Sequence, residues 1–150
     1  MPELTTQTLP VAALRPYPRN ARTHSKKQVR QIADSIKRFG FTNPVLIDGE
    51  GMIIAGHGRV EAARLLGMTE VPCVRLDHMS EADKRAYVIA DNKLALNAGW
   101  DEDILASELQ FLLQDIPDFD IGITGFTIAE VDSLIEGAKP KEPGDPADDM

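Results

Sequence analysis

The sequence predicts an α+β fold, a small mixed sheet with packed helices followed by an α-helical extension. Three observations lead there. Short apolar runs of strand length alternate with amphipathic helical patterns as far as Leu96, and only helical patterns follow. The 150 residues and 43% hydrophobic content are enough for one compact domain with a core and fall short of two full-sized ones. The charge also divides along the chain: residues 1–100 carry 14 Lys/Arg and 10 Asp/Glu, whereas residues 101–150 carry 2 and 14. The net charge of -8 is thus the sum of a mildly basic part and a strongly acidic one.

Residues 1–13 read as an amino-terminal segment with no periodicity beyond the apolar patch at Leu9–Leu14. Arg15-Pro-Tyr-Pro-Arg-Asn20 is then held extended by its prolines. Ser25 with Gln28 forms a capping-box pattern, Val29, Ile32, Ala33 and Ile36 keep helical spacing, and Gly40 ends a helix predicted over about 26–39. Pro44–Asp48 and Met52–Ala55 read as two strands around Gly49-Glu-Gly51. Val60, Ala62, Ala63, Leu65 and Leu66 give the next helix its apolar face, and Gly67 stops it. Val71–Leu76 is a strand whose Pro72 lacks an amide donor, which places that residue at a sheet edge or at the start of the strand.

Ser80 with Asp83 caps a helix running to about Leu96, with Ala82, Ala86, Ile89, Ala90 and Leu94 as its expected apolar face. Asp91 and Asn92 fall inside it. Residues 14–98 form the expected α+β domain and 99–137 an acidic helical extension. In that extension Asp101 caps a helix bearing Ile104, Leu105, Leu109, Leu112 and Leu113, and Thr127 with Glu130 opens one bearing Ile128, Val131, Leu134 and Ile135. Residues 138–150 contain three prolines and no large apolar residue before Met150, the composition of a disordered linker or tail.

No run approaches the roughly 18 apolar residues of a membrane span, and Met1–Pro10 lacks a charged-then-apolar signal pattern, so a cytoplasmic chain without membrane contact is expected. Cys73 is the single cysteine, which excludes an intramolecular disulfide framework and a multi-cysteine zinc site. Arg15 to Arg38 holds eight basic residues and one acid, Asp34, and is the segment suited to DNA.

Gly56-His-Gly-Arg59 lies between an apolar strand and a helix, where a glycine turn lets backbone amides approach an anion. Gly56 and Gly58 remove side chains that would block that approach, and Arg59 offers a planar fork for phosphate oxygens. A tight turn with a surface arginine is the alternative. His57 is open to three readings: general base, metal ligand or turn residue. Asp91 and Asn92 form a hard-oxygen pair able to hold magnesium beside phosphates, or else a solvated helix face.

Taken in order, Asn20-Ala-Arg22, Ala33-Asp-Ser-Ile36, Gly40-Phe-Thr-Asn-Pro-Val45, Ile54-Ala-Gly-His-Gly-Arg59, Ala63-Arg-Leu-Leu-Gly67, Val71-Pro72 and Ala90-Asp-Asn-Lys93 resemble the ParB/sulfiredoxin superfamily. The resemblance is to the amino-terminal, nuclease-like domain of ParB-like proteins and covers Leu14 to about Leu96. It implies a fold of that type and a site for CTP or another nucleoside triphosphate with Mg2+. The family turn is typically Gly-Glu-Arg-Arg; Gly56 and Arg59 match it, while His57 and Gly58 replace the middle pair. Asp91 and Asn92 stand where the family has Glu and Asn, and Ala95 replaces a terminal arginine. The resemblance thus implies Arg22, Thr42, Asn43, Gly56, His57, Gly58, Arg59 and Asn92 as nucleotide-binding residues, with Asp91 and Asn92 at the metal.

The sulfiredoxin branch has a cysteine in the turn where this chain has His57, and Cys73 sits on a strand as a small apolar residue, so sulfinic acid reduction is rejected. No basic helix-turn-helix is read after Leu96, and centromere reading by this chain alone is not expected. The Gly-His-Gly-Arg variant resembles domains of phages and mobile elements that often precede a DNA methyltransferase, fused or associated. Three functions follow: a nucleotide-binding module for DNA modification or partition, a metal-dependent nuclease or nucleoside triphosphatase using His57, and a scaffold whose acidic helices bind a basic partner or form a homodimer.

Overall fold

The computed structural model of the chain describes residues 3–18 and 23–138; Arg22 and the expected tail from residue 139 lie outside the described residues. Two compact units divide it, Met1–Ala98 and Gly99–Met150.

The first unit is built on a four-stranded mixed sheet of β1 (Thr6–Pro10), β2 (Val45–Ile47), β3 (Ile53–Ala55) and β4 (Glu70–Arg75), in the order β1-β4-β2-β3. β4 pairs antiparallel with β1 and parallel with β2, and β2 pairs antiparallel with β3. Side chains alternate across the sheet. Val45, Ile47, Ile53, Val71 and Cys73 join Val60 and Ala63 of α2 (His57–Leu65) in one core cluster. Their neighbours Ile54 and Val74 join Val88 of α3 (Glu81–Asn97) in the other. Each fully buried Val or Ile contributes about 1.5–3 kcal/mol from removal of apolar surface from water. Among these residues Val45, Ile47, Val71 and Cys73 have no exposed surface at all.

Helix α1 spans Lys26–Phe39, as its spacing predicts, and stops at Gly40 with φ of 89°. Its cap differs from the expected box. Ser25 accepts from the Gln28 amide, but the Gln28 side chain turns to His24, with Oε1 3.1 Å from Nδ1, instead of returning to the Ser25 backbone. β1 lies in the opening segment, where no periodicity marked a strand; its residues are mostly exposed and pairing with β4 defines it.

Pro72 is neither at an edge nor at a strand start. It sits inside β4, which runs between β1 and β2 from Glu70. Leu76 donates to the Ile47 carbonyl, so by two-residue alternation the nitrogen of Pro72 faces the β2 side. Pairing with β2 begins at Cys73 opposite Val45, and the missing donor therefore falls one step before the ladder.

The β2–β3 turn is fixed by Asp48, 5% exposed, whose Oδ1 accepts from the amides of Glu50 (2.8 Å) and Met52 (3.0 Å). Lys84 Nζ reaches Asp48 Oδ2 at 3.3 Å, and the Arg75 guanidinium bonds the carbonyls of Asp48 and Gly49. Burial alone would raise the Asp48 carboxyl, but the Met52 and Glu50 amides with Lys84 outweigh it and hold it below its ordinary value.

That tether sets the rotation of α3. The expected face containing Ile89 and Leu94 is outward, each 66% exposed, and the inward row is Lys84, Tyr87, Val88 and Asn92. The inward row is polar because it meets the Asp48 turn at one end and the cleft described below at the other.

In the second unit α4 (Glu102–Asp115), a short 3-10 turn at Ile121–Thr124 and α5 (Ile128–Gly137) enclose Leu109, Ile121 and Val131. Asp101 caps α4 through the Ile104 amide, and Thr127 with Glu130 makes a complete capping box on α5. Ile104 and Ile128 stay outside this core, 63% and 60% exposed. The Trp100 and Phe126 rings lie 5.8 Å apart and tilted. Among the described residues no helix is long and apolar enough to cross a membrane.

Candidate functional site

Helix α2 begins inside the Gly56–Arg59 segment. Gly56 is its N-cap, left-handed at φ 106°, and no side chain caps the first turn. The amides there are not taken by a Ser, Thr or Asp oxygen of the N-cap, and the turn residues Gly56 to Arg59 line a cleft. Glycine is needed at 56 on two counts: the positive φ, and a Cβ that would stand 3.0 Å from Arg59 Nη2. At Gly58 the missing Cβ has a different meaning, because it would stand 2.9 Å from Ile32 Cδ1 and 3.0 Å from His24 Cε1. That position lets α2 pack closely on α1.

The cleft over this turn has a volume of about 320 Å3. His24, Gln28 and Ile32 of the α1 side, Gly56 to Arg59, and Asp91, Asn92 and Ala95 of α3 enclose it. Arg59 is folded back over Gly56, with Nη2 donating to the Pro44 carbonyl at 2.9 Å. Its Nε is buried and has no hydrogen-bond partner. Burial pushes the guanidinium below its ordinary value, while Asp91 and then Tyr87 favour its charge. The cation is thus held beside the cleft at a desolvation cost, with its Nε unpartnered.

His57 is oriented by the extended segment after Leu14. Arg15 bridges to Met52 beside β3, and its carbonyl accepts from Ile53 at 2.7 Å, which carries Tyr17 past the turn. The Tyr17 amide then donates to His57 Nε2 at 2.9 Å. That lone pair is engaged, so the ring proton resides on Nδ1. Burial and the neighbouring His24 lower the His57 pKa, opposed by Glu61.

Asp91 and Asn92 both line the cleft, even though successive helix residues diverge by about 100°. Tyr87 donates to Asp91 Oδ1 at 3.5 Å, and Asn92 Nδ2 donates to the Val88 carbonyl at 2.7 Å. Thr42 and Asn43 line an adjoining cavity of about 260 Å3 that shares Ile32 and Arg59 with the cleft. Arg59 forms the wall between the two. Arg22 lies outside the described residues. Sequence reasoning missed His24, Gln28 and Tyr17: the first two are visible as a polar pair four residues apart at a helix start, whereas a backbone amide at Tyr17 leaves no trace in the sequence. Cys73 is remote from the cleft chemistry, fully buried, with its thiol pushed up by burial.

The α+β unit with its glycine-turn cleft defines a ParB-type domain, and the chain belongs to this family: residues 2–92 match the ParB N-terminal domain. Residues 103–150 match the ParB-methyltransferase HTH domain, which overturns the expectation that no helix-turn-helix follows Leu96. The missed signal was charge, since that expectation sought a basic helix.

Among curated relatives, the ParB-like nuclease domain-containing protein YnaK of Escherichia coli is 55% identical over 76 residues, 51% of this chain and 87% of that protein. The chromosome-partitioning protein Spo0J of Thermus thermophilus is 38% identical over 73 residues, 46% of this chain but 27% of that protein. Among solved structures, the C-terminally truncated chromosome-partitioning protein ParB from Caulobacter crescentus, complexed with CTP-gamma-S, matches with a TM-score of 0.73 at 21% identity, over 91% of this chain and 81% of that one. A Pnob8-like ParB-N domain matches at 0.52 and 18%, over 83% and 51%. These establish a ParB-like fold.

Proposed function

We propose that this chain is the nucleotide-binding module of a ParB-type protein that works on or with DNA, with CTP or another nucleoside triphosphate seated over Gly56–Arg59. The observation that carries the reading is the buried, unpartnered Nε of Arg59 beside the uncapped first turn of α2. Both are donors of the kind that phosphate oxygens accept from. Gly58, His57 through Nδ1–H, Asn92, and Thr42 and Asn43 across Arg59 complete the set of contacts, with Arg22 joining from the segment that precedes α1. The CTP-gamma-S complex of the Caulobacter protein supports the nucleotide class.

Asp91 and Asn92 are oxygen donors at the cleft wall and suit Mg2+, which would screen the phosphate charge. Two side chains fall short of the six oxygens magnesium requires, so phosphate and water oxygens supply the rest. The partner we infer for the whole protein is a DNA methyltransferase, fused or associated, in keeping with the ParB-methyltransferase HTH match. Duplex contact is assigned to residues 15–38.

Calorimetry with CTP, ATP and GTP in Mg2+ tests the reading. Heat is expected for at least one of them, and Arg59→Ala should weaken it roughly 10- to 100-fold, the loss of a charge-assisted bond. No heat for any nucleotide refutes it. The nuclease or triphosphatase alternative needs His57 as a base, and the Tyr17 amide already occupies its Nε2 lone pair. Binding without hydrolysis is the better-supported form. Nicking of supercoiled DNA in Mg2+ or Mn2+ that disappears in His57→Ala would reverse that preference.

A further inference from the structure

We infer that Lys84 is a positioning residue of the nucleotide site: by holding α3 to the β2–β3 turn, it fixes which side chains that helix presents at the cleft. The inference rests on the nucleotide reading given above and adds to it a residue outside the cleft lining.

Strand β3 and helix α3 run between the same two places. Asp48 holds the Met52 amide just before β3, and Gly56 opens the cleft turn just after it, a span of roughly 13 Å along the strand. On α3, Lys84 and Asp91 are seven residues apart, about 10 Å along the axis and about 20° apart around it. The ammonium meets Asp48 Oδ2 at 3.3 Å at one end, and Asp91 with Asn92 lines the cleft at the other. Between them Val88 packs in one cluster with Ile54 of β3.

The apolar hold on the helix is slight. Val88 is its single buried residue, and Ile89 and Leu94 point outward. A helix held mainly at one apolar point can turn about its axis, and a turn by one residue, about 100°, carries Asp91 and Asn92 off the cleft. Lys84 opposes that turn because its acceptor is itself fixed: Asp48 is buried, and its other oxygen holds the amides of Glu50 and Met52. Glu81 Oε2, 3.1 Å from Nζ, steadies the ammonium from within the helix. Arg85 does not substitute for it, since its ion pair is with Glu81 of the same helix. The orientation so held also keeps Asp91 where it favours the charge of Arg59.

Calorimetry with CTP, ATP and GTP in Mg2+, at a temperature where every variant is folded, tests the assignment. Lys84→Met keeps the stem and removes the ammonium; nucleotide affinity should fall about tenfold, and Lys84→Arg, whose cation can still reach Asp48, should recover most of it. Asp48→Asn should lose a similar factor. The double variant, Lys84→Met with Asp48→Asn, should be no weaker than the weaker single one, because one tether is broken only once. A residue serving stability alone would lower the melting temperature and leave the affinity of the folded chain unmoved. Circular dichroism checks folding, and if Lys84→Met is unfolded, Lys84→Gln takes its place with the same expected loss. A wild type that binds no nucleotide fails the underlying reading. Where the wild type binds, a folded Lys84→Met that binds as tightly, or losses that multiply in the double variant, overturns the inference alone.

Discussion

Replacing Gly56 by alanine separates the backbone requirement of the turn from its chemistry. The residue sits at φ 106°, where a Cβ is strained by about 1–2 kcal/mol. Space adds to this, because the new methyl stands 3.0 Å from Arg59 Nη2, 3.2 Å from Cζ and 3.3 Å from Nε. The guanidinium cannot swing aside freely, since Nη2 is bonded to the Pro44 carbonyl at 2.9 Å. In a unit of this size the backbone strain alone lowers Tm by roughly 4–16 °C. Asparagine tolerates the left-handed region better but also carries a Cβ. Gly56→Asn should therefore melt between the wild type and Gly56→Ala, while both variants lose nucleotide affinity, as displaced Arg59 requires. Circular dichroism melts and calorimetry on the same samples read the two effects. An alanine variant that melts with the wild type refutes the strain, and one that binds nucleotide normally refutes the role given to Arg59.

Three further outcomes are expected. Gly58→Ala gains up to about 1 kcal/mol of helix propensity but overpacks α1 at a cost of about 1–3 kcal/mol, so urea melts should show net destabilisation, partly relieved by Ile32→Val, which deletes the Cδ1 that lies 2.9 Å away. Asp48→Asn keeps an acceptor for the Glu50 and Met52 amides and loses the pairing with Lys84; it should cost about 1 kcal/mol at neutral pH. The wild-type Asp48 contribution is present above the ordinary carboxyl pKa of 3.8 and is lost as pH falls through its lower folded value, so the variant's acid limb should be flatter. His57 is held neutral by burial, so the unfolded chain takes up its proton first. Stability should therefore decline as pH drops below about 6.5 and level off once the folded ring titrates, a slope His57→Gln should remove while still accepting from the Tyr17 amide.

The elements with local signals were legible in the sequence. Ser25 and Gly40 bracket α1, and Thr127 with Glu130 fixes α5, because caps act within one turn. The turn at Gly56 was legible for the same reason. What escaped was set by partners distant in sequence. Thr6–Pro10 is a strand only through pairing with β4, and it buries too little apolar surface to alternate. In α3 the apolar residues Ile89 and Leu94 point outward, because the inward row must reach Asp48 through Lys84 and the cleft through Asn92. A rule that turns the greasiest side inward fails where the inward side carries the polar work. For the candidate site, the turn and the Asp91–Asn92 pair could be picked out in the sequence and line one cleft in the structure, but the hydrogen bond that fixes the tautomer of His57 comes from a main-chain amide 40 residues away.

Cys73, the single thiol of the chain, sits on β4 between β1 and β2 with no exposed surface. No alkylating reagent reaches it unless the centre of the sheet opens, so the fraction labelled over time counts the molecules of the first unit that have come apart. The second unit has no thiol and stays silent in the same reaction. The unmodified protein therefore carries a built-in clock for one half of itself, able to show whether a nucleotide slows the opening of that half alone.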